Sequence, residues 1–288
     1  MGKFHNCFLL YHQCEECEFN ESNNCTLWPK ESPIMEIRGH YGIAYLQDCL
    51  VWMKAQADKS ISLIFADTVW GHNYHLKAQK PMGINKKAQK QDRIPYEDSW
   101  DPQFHLDWFT EAQRIAEAQV VCVGRVNLKW WYRNFDVIDS CDVIYKNGQG
   151  STAISRYSGK MPYLCFGDLE WWKHHKFHRD YYEVYIHNGF LRDNEEELKH
   201  PSPKDFTTWN EMIQDLNSEK KIPLIYDCFL GSGALAEVCE ANGYPWVGTE
   251  IKEDYADDIQ LRIAKGQGRY PMPKRQRTQK TTLLEMLK

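Results

Sequence analysis

Three acidic residues in this chain each close a largely apolar run, and the central one leads into a pair of glycines. Asp227 follows Ile222 to Tyr226 and opens Cys228-Phe229-Leu230-Gly231-Ser232-Gly233. Glu250 ends the next run, Pro245-Trp246-Val247-Gly248-Thr249-Glu250. Asp67 ends Ile61 to Ala66. Glycines let backbone N–H groups come close to a ligand, and an acid at the tip of the following strand can accept hydrogen bonds from a ribose. Strand, glycine loop, helix, strand and acid is therefore the layout of a nucleotide-cofactor site. Asp67 stands at the carboxyl end of a near-continuous apolar run, as in a parallel strand buried on both faces. Open α/β sheets bind ligands at such ends, which makes Asp67 a candidate substrate contact.

A second chemistry-bearing group lies near the start. Cys7, Cys14, Cys17 and Cys25 are spaced C-x6-C-x2-C-x7-C around a polar segment, Glu18 to Asn24. So short and polar a stretch buries too little apolar area to fold alone, and four thiolates can close a tetrahedral zinc site. An iron–sulphur cluster or unliganded thiols are the other readings, and His5 or His12 could replace one cysteine.

The elements that must position these residues alternate in type. Strands are expected over Tyr41 to Asp48, Ile61 to Ala66, Val120 to Gly124, Val137 to Tyr145 and Met161 to Phe166, besides the two flanking the glycine loop. Helices are expected over Cys49 to Lys59, Gln103 to Ala118 and Ala234 to Ala241. Such alternation predicts an α/β domain with a mainly parallel sheet flanked by helices. Only residues 251–288 follow Glu250, too few to complete an open sheet. The cofactor half thus comes last, and the remaining strands come from the residues before it. The expected organisation is a cysteine module at 1–33, a main domain at 34–270 and a basic tail at 271–288. Within the main domain, 75–100 reads as a basic substrate loop. The span 168–199 reads as an inserted surface region, rich in aromatics and charge, that could recognise a target.

Composition bounds the partners. Net charge is −5, which argues against a wholly basic nucleic-acid coat but not against local patches. Lys77, Lys80, Lys86, Lys87, Lys90 and Arg93 crowd the 75–100 loop, and Lys274, Arg275, Arg277 and Lys280 mark the tail. Such clusters can hold phosphates. No apolar run is long enough to span a membrane, and no secretory signal is visible. An intracellular setting, cytoplasmic or nucleoid-associated, is expected, where ten cysteines serve as thiols or metal ligands rather than disulfides. Most of the eleven tryptophans are expected in the core.

In four segments, taken in order, the chain resembles the amino-group DNA methyltransferases that use S-adenosylmethionine, in the permuted arrangement with the catalytic motif before the cofactor motif. Leu46-Gln47-Asp48 resembles the strand end whose acid contacts the cofactor adenine. Asp67-Thr68-Val69-Trp70 sits where that family has Asp-Pro-Pro-Tyr. His200-Pro201-Ser202-Pro203-Lys204 is similar to its His-Pro-Thr-x-Lys-Pro segment. Asp227 to Gly233 resembles Asp-Pro-Phe-x-Gly-Ser-Gly, with Glu250 as the ribose-binding acid. The resemblance spans roughly residues 36 to 264 and implies a Rossmann-like fold. Asp48 and Lys204 also have plain readings, as a helix cap and a solvated lysine.

What the resemblance implies is methylation of an exocyclic amine on a flipped DNA base. Asp67 and the Thr68 carbonyl would orient the amine, and Trp70 would stack on the ring. Asp48, Lys204, Asp227, Phe229, Gly231, Ser232, Gly233 and Glu250 would form the S-adenosylmethionine site. An Asp at the head of the tetrapeptide favours adenine N6 over cytosine N4. The family prolines are Thr68 and Val69 here, so restoring proline is expected to raise activity if lost rigidity is the cost. A catalytically impaired nucleic-acid-binding protein and an RNA methyltransferase are the alternatives. Oligomeric state is left open.

Overall fold

Strand β3 (Ile61–Asp67) is buried at every position but its last, because sheet neighbours flank it and helices cover both its faces. Leu63 and Phe65 enter one apolar cluster, Ile64 and Ala66 the other. The computed structural model describes residues 35–68, 100–145, 160–184, 198–200 and 203–269. The cysteine module, the 75–100 loop and the basic tail lie outside the described residues, as do Val69 and Trp70.

Along the chain come β1 (Glu36–Arg38), β2 (Gly42–Leu46), α1 (Cys49–Lys54), β3, α2 (Pro102–Ile115), β4 (Ala116–Cys122) and α3 (Leu128–Asn134). Then follow β5 (Asp139–Tyr145), β6 (Lys160–Gly167), α4 (Leu169–Trp172), β7 (Tyr181–Val184) and α5 (Phe206–Leu216). Last are β8 (Ile225–Asp227), α6 (Ala234–Asn242), β9 (Trp246–Glu250) and α7 (Ala256–Gly266). Among the described residues the strands form one sheet in the order β1-β2-β9-β8-β3-β4-β6-β5-β7. The run from β2 to β4 is parallel throughout, while β6 runs antiparallel to both β4 and β5. β8 leads through α6 to β9 on one side, and β3 leads through α2 to β4 on the other. The connections thus run in opposite directions away from the parallel pair β8 and β3, which opens a crevice at their carboxyl ends. Trp209, Met212, Leu235 and Ile259 from α5, α6 and α7 cover one face. Trp52, Trp108, Phe109 and Trp131 from α1, α2 and α3 cover the other. No helix among the described residues is long and apolar enough to cross a membrane.

Three expectations need correction. The helix expected over Gln103 to Ala118 stops at Ile115, and Ala116 to Ala118 open β4, paired with Ile61 and Leu63. Small side chains fit this buried position between strands, and sheet pairing overrides the helical preference of alanine. The helix from Cys49 ends at Lys54 rather than Lys59. Lys59 has φ +53°, and its ammonium donates to the carbonyls of Gln113 and Ala116. The described part of 168–199 is not a surface insert. Trp171, His175 and Tyr182 are buried, and β7 extends the sheet beside β5. Trp171 stacks on His175 at 4.1 Å and donates from Nε1 to Ser62 Oγ on β3 at 3.1 Å. Core placement of tryptophan holds for Trp52, Trp108, Trp131, Trp171, Trp209 and Trp246.

Candidate active site

The crevice between β8 and β3 gathers the acids picked out above. Asp67, Asp227 and Glu250 end β3, β8 and β9, three consecutive parallel strands once β8 and β9 are ordered against β3. Asp227 is fully buried. Its Oδ1 accepts the Phe229 N–H at 3.0 Å, and its Oδ2 has no partner among the described residues. Burial pushes this carboxyl well above the usual range; the Phe229 N–H opposes that, and the nearby charges of Asp67 and Glu250 add to it. A buried acceptor without a donor is costly to hold, and it marks a place where a cationic or N–H-bearing ligand group would be welcome.

The loop after Asp227 bends back over β9. Leu230 N–H donates to the Thr249 carbonyl at 2.9 Å. Gly231 (φ +53°) and Gly233 (φ +87°) take left-handed conformations that side chains with a Cβ adopt at a cost. A Cβ on Gly231 would lie 3.1 Å from His200 Nε2, and one on Gly233 would lie 3.1 Å from Ile259 Cα. Glu250 ties the loop down: its Oε2 accepts the Gly231 N–H at 2.8 Å, and its Oε1 accepts the Lys252 N–H at 2.9 Å. Burial raises this carboxyl too, and the two backbone N–H groups work against that. Ser232 is buried. Phe229 turns into the aromatic cluster of α2, edge-on to Trp108 at 5.1 Å.

Asp67 meets Lys204, Nζ to Oδ2, at 2.6 Å, with the two side chains only 11 % and 20 % exposed. Its Oδ1 is buried, with no nitrogen or oxygen partner among the described residues, and the Cys122 thiol lies against the carboxylate. The next residue, Thr68, donates from both its N–H (3.2 Å) and its hydroxyl (3.0 Å) to the Cys122 carbonyl at the end of β4. Asp48 follows β2, whose Leu46 is in register with Glu250, and its Oδ1 caps α1 by accepting the Leu50 N–H at 2.7 Å. Asp48 therefore lies on the same sheet edge with its capping role visible.

Asp67, Lys204, Asp227, Gly231, Gly233 and Glu250 thus converge. Val69, Trp70 and Cys7, Cys14, Cys17 and Cys25 fall outside the described residues. Among the described residues no cluster of three or more His, Cys, Asp or Glu side chains is placed to hold a metal. Burial drives the thiols beside the site, Cys122 and Cys228, far upward, so neither is set up as a thiolate nucleophile. Sequence reasoning missed Asp258 and Arg262 of α7. Both are buried and bond to the backbone of 199–204. Their four-residue spacing on one helix face was the only signal available.

A sequence model of the N6/N4 type, described as DNA methylase, matches residues 1–261. No curated protein sequence matches the chain at a significant level. Among solved structures, PvuII DNA methyltransferase (cytosine-N4-specific) superposes with a TM-score of 0.52 at 15 % identity, covering 85 % of this chain and 91 % of that one. The M1.HpyAVI–SAM complex superposes with a TM-score of 0.46 at 15 % identity, covering 76 % of this chain and 98 % of that one. At such identities structural likeness speaks to fold, and the first of these carries it: a large, mostly parallel sheet flanked by helices. The family match spans nearly the whole described region, and the chain accordingly belongs to the N6/N4 DNA methylase family.

Proposed function

We propose that this protein transfers a methyl group from S-adenosylmethionine to an exocyclic amine of a DNA base, adenine N6 in preference to cytosine N4. The observation that carries the reading is the meeting of two half-sites at one crevice. A glycine loop after β8 is tied to the strand-end acid of β9, and a strand-end carboxylate held by Lys204 stands on β3.

The donor set fits the cofactor. S-adenosylmethionine carries cationic groups and a ribose, and Asp227, Glu250 and Asp48 line the corresponding strand ends. The left-handed glycines leave the loop backbone open to close approach. When bound, the cofactor supplies an electrophilic methyl group. Asp67 accepts a hydrogen bond from the target amine, the Thr68 carbonyl accepts the second, and Trp70 stacks on the base. These contacts draw the nitrogen lone pair out of ring conjugation. With S-adenosylmethionine held by Asp48, Asp227 and Glu250, the amine nitrogen would bond the methyl carbon as the thioether leaves, and the proton it sheds would pass to solvent. Orientation and charge do this work, so no covalent nucleophile is needed. Adenine preference rests on aspartate at the head of the tetrapeptide. The 75–100 loop would contact the phosphates of the substrate strand, and Cys7, Cys14, Cys17 and Cys25 would hold a structural zinc ion.

The test is methyl incorporation from labelled S-adenosylmethionine into duplex DNA, single-stranded DNA and RNA. Duplex DNA is expected as the acceptor, with N6-methyladenine as the product. Asp67→Ala should lower the rate by about 100-fold or more, the loss typical of one preorganised transition-state contact. Incorporation that survives Asp67→Ala unchanged would sink the mechanism.

A further inference from the structure

Helix α7 grips segment 199–204 at both ends. The two oxygens of Asp258 accept the backbone N–H groups of Lys199 and His200 at 3.0 and 2.8 Å. One turn along, Arg262 donates from Nη2 to the Lys204 carbonyl at 3.0 Å and from Nη1 to Glu237 of α6 at 2.7 Å. Asp258 and Arg262 are 1 % and 3 % exposed, and Arg262 Nε has no partner among the described residues. Burying charges to hold backbone groups is expensive and is not explained by stability alone. What the grip delivers is the Lys204 ammonium. It crosses from the cofactor side of the crevice to β3 and meets Asp67 Oδ2 at 2.6 Å.

We propose that Lys204 serves the transfer step rather than cofactor affinity, by fixing the Asp67 carboxylate, and that Asp258 and Arg262 are the positioning residues that hold Lys204 there. This rests on reading Asp67 as the acceptor of the target amine. An ammonium on Oδ2 sets the plane of the carboxylate, and so the direction in which it can accept from the amine. Without it the carboxylate can rotate, and the fraction of encounters with a well-aimed nitrogen falls. The same grip couples the two halves of the site, because α6 and α7, which flank the glycine loop, also set the catalytic strand end.

The experiment uses the full chain, with single-turnover methyl transfer to duplex DNA and calorimetric affinity for S-adenosylmethionine. Lys204→Met is expected to slow transfer by about 100-fold while changing cofactor affinity by less than about twofold. Lys204→Arg keeps the cation and should recover part of the rate. Asp258→Asn should slow transfer in the same direction, and add nothing on top of Lys204→Met, as befits a residue that acts through another. Weakened cofactor binding at an unchanged transfer rate in Lys204→Met, or additive losses in the double variant, would overturn the proposal.

A readout that needs no turnover is acylation of the Lys204 amine, followed by mass spectrometry. It is expected to speed up in both Asp67→Asn and Asp258→Asn, at melting temperatures that exclude global unfolding. Unchanged labelling in both variants would remove the grip. Should the wild type methylate no DNA while labelling responds as expected, the proposed activity and the transfer role of Lys204 fail together and the grip alone stands.

Discussion

On the proposed alignment of 67–70 with the family tetrapeptide Thr68 replaces a proline, and its hydrogen bonds change what that substitution would mean. Proline would fix the backbone through its ring. Thr68 instead ties the chain to the Cys122 carbonyl through both its N–H and its hydroxyl, contacts worth about 1 kcal/mol each. Rigidity at this strand end has been re-made with different chemistry. Thr68→Pro deletes both donors, so it should lower the single-turnover rate rather than raise it, opposite to the expectation from the motif alone. Thr68→Val keeps the N–H and should fall between the two. A Thr68→Pro variant faster than wild type would show that the lost proline ring, not the bond to β4, limits the geometry. At this scale the sequence was legible where chemistry and position coincide: Asp67, Asp227 and Glu250 close apolar runs and do meet. Asp258 and Arg262 were not legible, since charges in a helix read by default as a solvated face. Only the fold reveals that these two point inward.

At the scale of elements, the described part of the Trp-rich span, α4 and β7, is structural. Trp171 links α4 to β3 through Ser62 and stacks on His175, and Tyr182 of β7 hydrogen-bonds Asp215 of α5. Trp171→Ala should cost about 3 kcal/mol, as large-to-small core changes at aromatic sites do. For a domain of this size that lowers the melting point by roughly 6–12 °C. Discrimination among DNA targets should be unaffected in the folded fraction. A stable variant with altered target preference would return this span to a recognition role. The span misled because four-residue strands and helices carry too few residues for periodicity to register. The α2–β4 boundary misled differently: Ala116-Glu117-Ala118 reads as helix until β3 is known to lie beside it.

Across the whole molecule, one source of acid sensitivity is the aromatic cluster that packs against Phe229 of the glycine loop. His105 is fully buried, accepts the Trp108 indole N–H at 3.0 Å on Nδ1 and stacks on Trp100 at 4.1 Å. Burial lowers its pKa to about 4 from the ordinary 6.5, against a smaller opposing pull from Asp101. Because the unfolded chain takes up the proton first, stability is full above the unfolded pKa and is lost as pH falls toward 4. The expected slope approaches 1.4 kcal/mol per pH unit within that window. Denaturant melts of His105→Phe at pH 7, 6 and 5 should show a shallower decline than wild type, whatever the offset in absolute stability. Equal slopes would place the acid sensitivity elsewhere. The architecture itself was readable from alternating apolar runs, whereas the antiparallel placement of β6 between β4 and β5 was not, because pairing partners leave no mark on a single strand.

The pairing of β3 with β8 joins Leu63 to Ile225, neighbours in space that lie far apart along the chain. A ribosome adding roughly 5–20 residues per second needs on the order of ten seconds to pass from one to the other. Throughout that interval the strand bearing Asp67 has an apolar edge with no partner, open to mispairing and to chaperones. The crevice therefore cannot form until β8, α6 and β9 have been made. Products truncated before Lys204 would carry Asp67 without the lysine or the glycine loop that meet it in the fold, and would expose an apolar edge.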